Sequence, residues 1–536
     1  MPSRAIPIFV AVVLVFGTAY RVWPVIVGQP ALSEFFITED GYLMLTVARN
    51  LAGGLGMSVS EGTIATNGVQ PLQAIVFALF YQLADGDKTG GLVYVHLFHA
   101  SISVLTFFAT HRFAARFFAA NPANALLPWA IAALWFLSPL LVRHSMNALE
   151  TGLYTLMVLL AAMQFMRMIE RGPDSSLLAR LGFGVLCGLV FLSRNDAVFL
   201  LASIFAVWAV VEVFVWRQSI VAMVTRLLPP GLMSIVVSLP WLINNQINFG
   251  SIIPVSGPAQ SLNVEFGRNA SLLPSKLFET AMPMFPVPGS MERSSIVVAV
   301  CLVTLVVVLA LFLWRTFLKA DLGVKAAVSS YFLFGCALAA YYGLWFGAAH
   351  FLSRYLAPLA PILILAAMVA ALAIGRIIMR QKPDLVANIY AGLGIAISSA
   401  LLLRALLPGV TEQGHAQVVA WVDQNVPQEV WVGAVQTGTL GYWHDRTINL
   451  DGKVNPAALA ARREIGHVLE YVVESEIDYI VDWYGVGKWA EEPASETGNA
   501  DKKKEAFVES FELELADKAR NLAVLRRSEP KTLPSE

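Results

Sequence analysis

The run "IVVAVCLVTLVVVLALFLW", residues 296–314, contains no charged side chain. A helix that crosses the hydrocarbon core of a bilayer needs about 20 apolar residues, which is close to the length of this run. The whole chain has the same character, with 57% hydrophobic and 14% charged residues among 536, whereas soluble domains carry about 25% charged residues. The composition predicts an integral membrane protein. The net charge of -1 gives no indication of nucleic-acid binding.

Hydropathy and helix breakers predict about eleven membrane-spanning helices. Their predicted starts lie near Ala5, Leu92, Leu126, Ala148, Leu181, Ala197, Leu228, Ile296, Ala326, Leu356 and Ala387. The apolar run 71–84 is short for a crossing, and Arg112 and Arg116 would face outward if it crossed. Since basic loops face the cytoplasm, we predict an interfacial helix at 71–84. The same rule predicts a cytoplasmic N-terminus in the inner (cytoplasmic) membrane.

The chain is predicted to have two domains. Residues 1–406 form the transmembrane domain, with a first outer loop at 28–91 and a second at 245–294. The C-terminal stretches "QEVWVGAVQ", "RTINLDG" and "IDYIVDW" read as short strands with helical patterns between them. This alternation predicts a small extracytoplasmic α/β domain over 407–536. A polar, charged composition near 490–505 predicts a loop within it.

Polar residues concentrate in four short stretches that the predicted topology places at one level of the outer face. They are "RHSMNALE" (143–150), "SRNDA" (193–197), "NNQINFG" (244–250) and "HFLSRY" (350–355). This mixture of Arg, His, Asn, Asp and Glu is more typical of a site than of an orientation signal, and ionisable groups in mid-span are few. Because ATP and nucleotide sugars are not normally available outside the cytoplasm, an activated substrate there would be lipid-borne.

Two adjacent acids, Glu39 and Asp40, open the stretch "EDGYLMLTVARNLAGG" in the first outer loop. Thr38 before them is a good helix N-cap, and acids in a first turn complement the helix dipole. That interpretation needs no catalysis. The alternative is that one carboxylate is a general base toward a hydroxyl, while the second raises its pKa or holds a divalent metal ion.

The polar hairpins offer donors for a phosphate. Arg143, Arg194 and Arg354 have the guanidinium fork that binds phosphate, and His144 or Tyr355 would add a hydrogen bond. Each arginine could equally lie at the interface in a salt bridge.

Four further polar residues are candidates for contact with the sugar or the acceptor. Glu150 and Asp196 either make such contacts or pair with arginines. Asn147, in the same hairpin as Glu150, is a candidate for the same contacts. Asn67 in "TNGVQPL" is another, although it also fits a tight turn.

The ordered series of motifs resembles bacterial membrane glycosyltransferases of the GT-C fold. It consists of the acid pair, "GYLMLTVARNLAGGLG", "TNGVQPL", a short apolar helix, "NALETGLYTLM", "SRNDAVFLL" and "PWLINNQINFGSIIPVSG". The closest branch contains actinobacterial cell-wall arabinofuranosyltransferases. Protein O-mannosyltransferases and lipid A aminoarabinose transferases are more distant relatives.

The resemblance implies an enzyme that transfers a sugar from a polyprenyl-phosphate donor on the outer face of the inner membrane. The acceptor would be a glycan, lipid or protein of the cell envelope. An acidic residue of the first outer loop is the base in this family, which points to Asp40. Glu39 stands where the branch commonly has aspartate, so a metal-binding role for this position stays open. The reaction implied is an inverting glycosyl transfer.

Two other functions compete with this prediction. A transporter or lipid flippase would show inverted repeats and polar groups at mid-membrane, and neither is evident in the sequence. A non-catalytic receptor that binds glycan through its outer domain would have no need of a base at Asp40.

Overall fold

The computed structural model describes residues 5–118, 124–262, 264–379, 382, 384–407, 415–491 and 499–531. Within this part of the chain, nine helices are long and apolar enough to cross a membrane. They are Ala5–Val27, Lys88–Phe118, Thr151–Glu170, Ala197–Val215, Ile220–Phe249, Ser295–Lys319, Leu322–Leu344, Ala349–Ile378 and Asp384–Leu406. Helices are the expected form, because a backbone in lipid must satisfy its own hydrogen bonds. The predicted polytopic helical class is confirmed.

Two helices explain why this count is lower than the predicted eleven. Leu127–Leu137 and Pro139–Met146 meet at 61° and form a tenth candidate span only if taken together. The proline at the break has no N–H, and Ser138 caps the second helix by accepting a hydrogen bond from Leu141 N at 3.2 Å. Leu177–Ser193 has 17 residues and falls short of a span by length. All eleven predicted segments are helical, but by length and composition only nine or ten can cross.

Two spans form the centre of the bundle. Thr151–Glu170 is 78% buried and Ala349–Ile378 is 83% buried, whereas Ile220–Phe249 is only 11% buried. The buried fraction separates central helices from those whose aliphatic side chains face outward. Glu150 directly precedes the first central helix, and Arg354 lies in the first turns of the second. Rigid central helices therefore carry two of the polar residues singled out above.

The first outer loop folds into short elements on one end of the bundle. They are the helices Ala31–Glu34, Glu39–Ala52 and Pro71–Leu83 and the antiparallel strands β1 (Ser58–Val59) and β2 (Ile64–Ala65). Pro71–Leu83, the helix predicted near 71–84, buries Ala74, Phe77 and Tyr81. Its opposite side exposes Ile75, Leu79 and Leu83, the kind of apolar stripe that an interfacial helix presents to lipid.

The second outer loop and the C-terminal domain contain the remaining elements. The loop holds the helices Ser256–Gln260 and Leu273–Ala281. The domain holds the helices Ala416–Asn425, Gly438–Trp443, Pro456–Ile465, Leu469–Glu474, Lys488–Glu491 and Asn499–Ser510. Its strands are β3 (Val432–Ala434), β4 (Thr447–Asn449), β5 (Tyr479–Asp482), β6 (Phe511–Asp517) and β7 (Leu522–Arg527).

The five strands form one mixed sheet in the order β4-β3-β5-β7-β6, with β3 parallel to β4 and to β5. The three strands read from the sequence are therefore confirmed, and β6 and β7 were not predicted. Part of the polar loop predicted near 490–505 is helical. Residues 492–498 lie outside the described part, and the chain is helical from Asn499 to Ser510. Phe507 is fully buried there and stacks on Phe511, which favours helix over loop.

The C-terminal domain packs directly on the first outer loop. Tyr442 is fully buried, and its hydroxyl lies 2.8 Å from that of Tyr81. Asp445 forms salt bridges with Arg49 and with Lys88, the latter at 3.2 Å. Apolar side chains of both parts share one hydrophobic cluster. The domain and the outer loop thus form one layer above the helical bundle.

Candidate active site

The carboxylate of Asp40 lies between two cations from distant parts of the chain. It occupies the first turn of the helix Glu39–Ala52, which Thr38 caps. Arg354 Nη1 donates to Asp40 Oδ2 at 3.1 Å, and Lys453 Nζ donates to Oδ1 at 3.3 Å. Burial alone would raise the pKa of Asp40, but the charges of Lys453 and Arg354 lower it below the ordinary value. Asp40 is therefore ionised at neutral pH.

Asp40 lines a cavity of about 430 Å³ between the bundle and the outer layer. Six residues singled out in the sequence line it, namely Asp40, Glu150, Arg194, Asp196, Arg354 and Tyr355. They come from the first outer loop and from three different polar hairpins. The fold thus brings together side chains that are more than 300 positions apart in the sequence.

Arg194 is the centre of a buried charged cluster on one wall of the cavity. It lies at the end of the helix Leu177–Ser193, with its Nη2 3.1 Å from Asp196 Oδ2 and its Nε 3.7 Å from Glu150 Oε1. Its guanidinium also stacks 4.3 Å from the ring centroid of Tyr355. Two opposite charges and an aromatic face fix the orientation of this cation. Its Nη1 has no hydrogen-bond partner among the described residues.

Arg354 approaches the same space from the other side of Tyr355. Its Nη2 donates to the Tyr355 hydroxyl at 3.1 Å, and that hydroxyl donates to Gln260 Oε1 at 3.0 Å. The Nε of Arg354 is buried and, like Nη1 of Arg194, has no partner in the described part of the chain. The cavity therefore has two fixed guanidinium groups with unused donors, the arrangement that binds a phosphate.

Part of the cavity lining is apolar. It consists of Phe191, Val198, Phe199, Leu242, Ile252, Ile253, Tyr341 and Phe346. Val198 is 49% exposed and Ile252 is 56% exposed, so this part of the lining reaches the outside of the bundle. Exposed aliphatic side chains beside membrane-spanning helices suit contact with lipid. The cavity thus combines charged groups with apolar walls.

Glu39 does not share the cavity with its neighbour Asp40. Its carboxylate accepts hydrogen bonds from Gly438 N at 2.8 Å and Thr439 N at 3.1 Å, and from the Thr439 hydroxyl. His415 Nδ1 lies 3.5 Å away, and its Nε2 lies 3.0 Å from Asp482 Oδ1. The side chain therefore ties the acid-bearing helix to the C-terminal domain.

The charge of His415 strengthens this tie. Burial would lower its pKa, but the hydrogen bonds with Asp482 and Glu39 raise the pKa of His415 to about 10. The imidazole is therefore a cation at neutral pH, between two carboxylates. The same contact and the hydrogen bond from Thr439 outweigh burial and lower the pKa of Glu39. The geometry gives Glu39 an anchoring role.

Gly438 offers a test of this anchor. A Cβ at this position would lie 1.9 Å from the backbone oxygen of Glu39, so Gly438→Ala must push the two parts of the molecule apart. We expect a loss of about 1–3 kcal/mol in the free energy of unfolding. Gly441→Ala in the same helix is the matched control, since its Cβ would meet Thr447 at an ordinary 3.6 Å. Thermal unfolding of both variants measures the effect, and equal melting temperatures would contradict the prediction.

Two residues predicted to bind the donor phosphate lie elsewhere. Arg143 lines a separate depression, together with Glu39 and Asp423. His144 Nε2 lies 3.2 Å from Ser353 Oγ. Neither lines the cavity of Asp40. Both residues lie in the last turn of Pro139–Met146, the helix that follows the bend.

Two residues predicted to contact the acceptor or the sugar make hydrogen bonds to the backbone instead. Asn147 Oδ1 accepts a hydrogen bond from Leu149 N at 3.1 Å, and Asn67 Oδ1 accepts one from Val255 N at 2.9 Å. Both are buried and neither lines the cavity. Asn67 joins the first outer loop to the second and so shapes the cavity from behind.

Three cavity residues that hydrogen-bond to Asp40, Tyr355 or Asp196 were not singled out in the sequence. They are Lys453, Gln260 and Tyr342, whose hydroxyl donates to Asp196 Oδ2 at 2.7 Å. Lys453 directly follows "RTINLDG", which was read as a strand, and nothing in one sequence relates it to Asp40.

A metal site at the acid pair does not fit the contacts. The Glu39 oxygens accept hydrogen bonds from Gly438 and Thr439, while the Asp40 oxygens face Arg354 and Lys453. Over the described ranges, no group of three or more His, Cys, Asp or Glu side chains is placed to hold a metal ion. The two acids therefore act separately.

Comparison with known proteins adds to this geometry. Residues 405–521 match a family model described as a domain of unknown function, DUF8728. No curated protein sequence matches the chain. The crystal structure of ArnT from Cupriavidus metallidurans bound to undecaprenyl phosphate is similar, with 14% identity and a TM-score of 0.57 over 98% of each chain.

A second similar structure is the Archaeoglobus fulgidus oligosaccharyltransferase in its apo form. It has 11% identity and a TM-score of 0.54, over 96% of this chain and 73% of that one. AglB from the same organism, in complex with an inhibitory peptide and a dolichol-phosphate, has 11% identity and a TM-score of 0.53. That match covers 90% of this chain and 70% of the other.

The chain has the GT-C fold. The resemblance read from the sequence is thus confirmed at the level of the fold, over nearly the whole length of the protein. The arabinofuranosyltransferase branch stays a prediction. Two of these GT-C structures hold a polyprenyl phosphate, either undecaprenyl or dolichol phosphate.

Proposed function

We propose that this protein is a membrane glycosyltransferase that takes its sugar from a polyprenyl-phosphate donor. The observation that carries the proposal is the position of Asp40 in a cavity whose lining combines the charged groups of Arg194 and Arg354 with apolar side chains. The fold shared with ArnT and AglB, which bind polyprenyl phosphates, supports it. The acceptor would be a glycan, lipid or protein of the cell envelope.

The charged and apolar parts of the cavity lining match the two parts of such a donor. The phosphate would lie against Arg194 and Arg354, whose Nη1 and Nε atoms, respectively, have no partner among the described residues. The first isoprene units would follow Phe199, Leu242 and Ile252 toward the outside of the bundle. A free sugar or a nucleotide would leave these apolar walls without a partner, which favours a lipid-linked donor.

The reaction would be a single displacement. Asp40 accepts the proton of the acceptor hydroxyl, whose oxygen attacks the anomeric carbon. The bond from that carbon to the phosphate oxygen breaks, and its electron pair leaves with the polyprenyl phosphate. Arg354 and Arg194 neutralise the leaving group, so that the phosphate requires no proton. Attack opposite the leaving group inverts the anomeric configuration.

A donor panel tests the proposal. Native mass spectrometry of the purified protein is expected to show a co-purified polyprenyl phosphate. Incubation with polyprenyl-phosphate pentoses, hexoses and amino sugars is expected to release polyprenyl phosphate in step with transfer of labelled sugar. Counterflow of a free solute in proteoliposomes, without any sugar transfer, would instead favour a transporter.

A further inference from the structure

The C-terminal domain supplies one of the two cations at Asp40. Lys453 Nζ lies 3.3 Å from Asp40 Oδ1 and also 3.3 Å from Asp451 Oδ2. Arg354 takes the other oxygen of Asp40, Oδ2, at 3.1 Å. Each oxygen of Asp40 therefore has its own cation, and only Arg354 belongs to the membrane domain.

Lys453 is held in place by its own loop. Asp451 Oδ1 accepts a hydrogen bond from Lys453 N at 2.8 Å, while Oδ2 holds the ammonium group. Arg462 Nη1 donates to the backbone oxygen of Asp451 at 2.6 Å, and Asn449 Oδ1 accepts from Gly452 N at 2.9 Å. Asp451 thus fixes both the backbone and the side chain of Lys453.

This loop is also seated on the first outer loop. A Cβ at Gly68 would lie 2.0 Å from the backbone oxygen of Lys453, so the two backbones touch. Val454 is 1% exposed and belongs to the hydrophobic cluster that the domain shares with the outer loop. The backbone of Lys453 therefore cannot move away from the first outer loop unless the two loops separate.

Arg354, unlike Lys453, has a side-chain donor without a partner in the described part of the chain. It faces the cavity beside Tyr355, and its Nε has no partner among the residues that the structure describes. A phosphate that enters the cavity competes with Asp40 for this guanidinium, because two anions then share one cation. Lys453, already paired with Asp451 and locked in its loop, stays with Asp40.

We infer that Lys453 is a positioning residue, which holds the carboxylate of Asp40 in place through Oδ1. When the donor binds, Arg354 pairs with its phosphate instead of Asp40, and Oδ2 is then free to take the proton. The inference rests on the proposed function. It gives Lys453 and Arg354 different roles and makes the C-terminal domain part of the active site.

The charges around Asp40 set the expected pH dependence. Arg354 and Lys453 contact it directly, His350 contributes a further interaction from the membrane domain, and Asp451 lies beyond Lys453. Glu150, Arg194 and Tyr355 face the same cavity. A cation favours the carboxylate and lowers its pKa, so removal of one cation raises the pKa. Since the ionised form is required, the acid side of the pH–rate profile must then move to higher pH.

Lys453→Gln and Lys453→Arg test the inference against Asp40→Asn. Lys453→Gln is expected to move the acid limb of kcat upward by about one pH unit or more, and to lower kcat roughly 10- to 100-fold at neutral pH. The affinity for undecaprenyl phosphate should change less than about 3-fold, since Arg354 and Arg194 remain. Lys453→Arg should return the acid limb of the pH–rate profile to its wild-type position.

Two outcomes overturn the inference. One is an unshifted acid limb in Lys453→Gln, and the other is a large loss of undecaprenyl phosphate affinity with kcat intact, which makes Lys453 a donor ligand. Infrared titration of the Asp40 carboxyl band, identified by its loss in Asp40→Asn, gives the same pKa without any turnover. A shifted band in a protein that transfers no sugar would leave the ion pairing intact and reject the proposed function instead.

Discussion

Asp40→Asn is expected to lower sugar transfer by about 1,000-fold, the range that a general base contributes. An amide has the shape of the carboxylate but cannot take the proton of an acceptor hydroxyl. The variant should still bind undecaprenyl phosphate, because Arg194 keeps its pairing with Asp196 and Arg354 loses a competing anion. Transfer of labelled sugar and lipid affinity, measured on the same preparation, separate the two effects.

Asp445→Asn is the matched control for this experiment. Asp445 is also an acid between two cations, Arg49 and Lys88, and it joins the same outer layer, but it lies outside the cavity. Its loss should affect the melting temperature and leave kcat nearly unchanged. Comparable losses of kcat in both variants would show that Asp40 matters only as an ion-pair partner, and normal transfer by Asp40→Asn would reject it as the base.

Part of this site could be predicted because the positions of basic residues in the sequence indicate which loops share one side of the membrane. Basic loops predicted which helix ends face outward, and that prediction placed the hairpins of Arg194 and Arg354 at one level with Asp40. The predicted helix starts were close to the observed ones for the same reason, since apolar length is a strong signal. The three short strands of the C-terminal domain followed from their patterns of β-branched residues.

The rest of the site depends on long-range contacts that local sequence patterns do not predict. Glu39 and Asp40 are neighbours, yet successive residues on a helix point about 100° apart, so one meets Thr439 and the other meets Arg354. Arg143 belongs to the same hairpin as Glu150 but lines another depression, because Arg143 lies on the helix Pro139–Met146 and Glu150 precedes the next helix, Thr151–Glu170. Lys453 reaches Asp40 from 413 positions away, which only the packing of two domains decides.

Arg354→Gln is expected to weaken undecaprenyl phosphate binding by about 30-fold or more, since loss of one member of a buried charge pair costs roughly 2–5 kcal/mol. Arg354 is 8% exposed, contacts Tyr355 and faces the cavity with an unused Nε. Arg354→Lys should recover part of the loss, because an ammonium keeps the charge without the planar fork. Titration of the lipid into purified protein in nanodiscs measures all three affinities.

Arg143→Gln provides the comparison that decides this prediction. Arg143 carries the same charge on the same outer layer but lines a different depression, so its removal changes the general field and leaves the cavity intact. If the phosphate is bound by geometry, only Arg354→Gln loses affinity. If both variants lose it equally and added salt removes the difference from wild type, the outer face attracts the lipid by net charge alone. The phosphate would then have no fixed binding position between Arg194 and Arg354. The proposed inverting transfer, with Asp40 as the base, would lose its geometric basis.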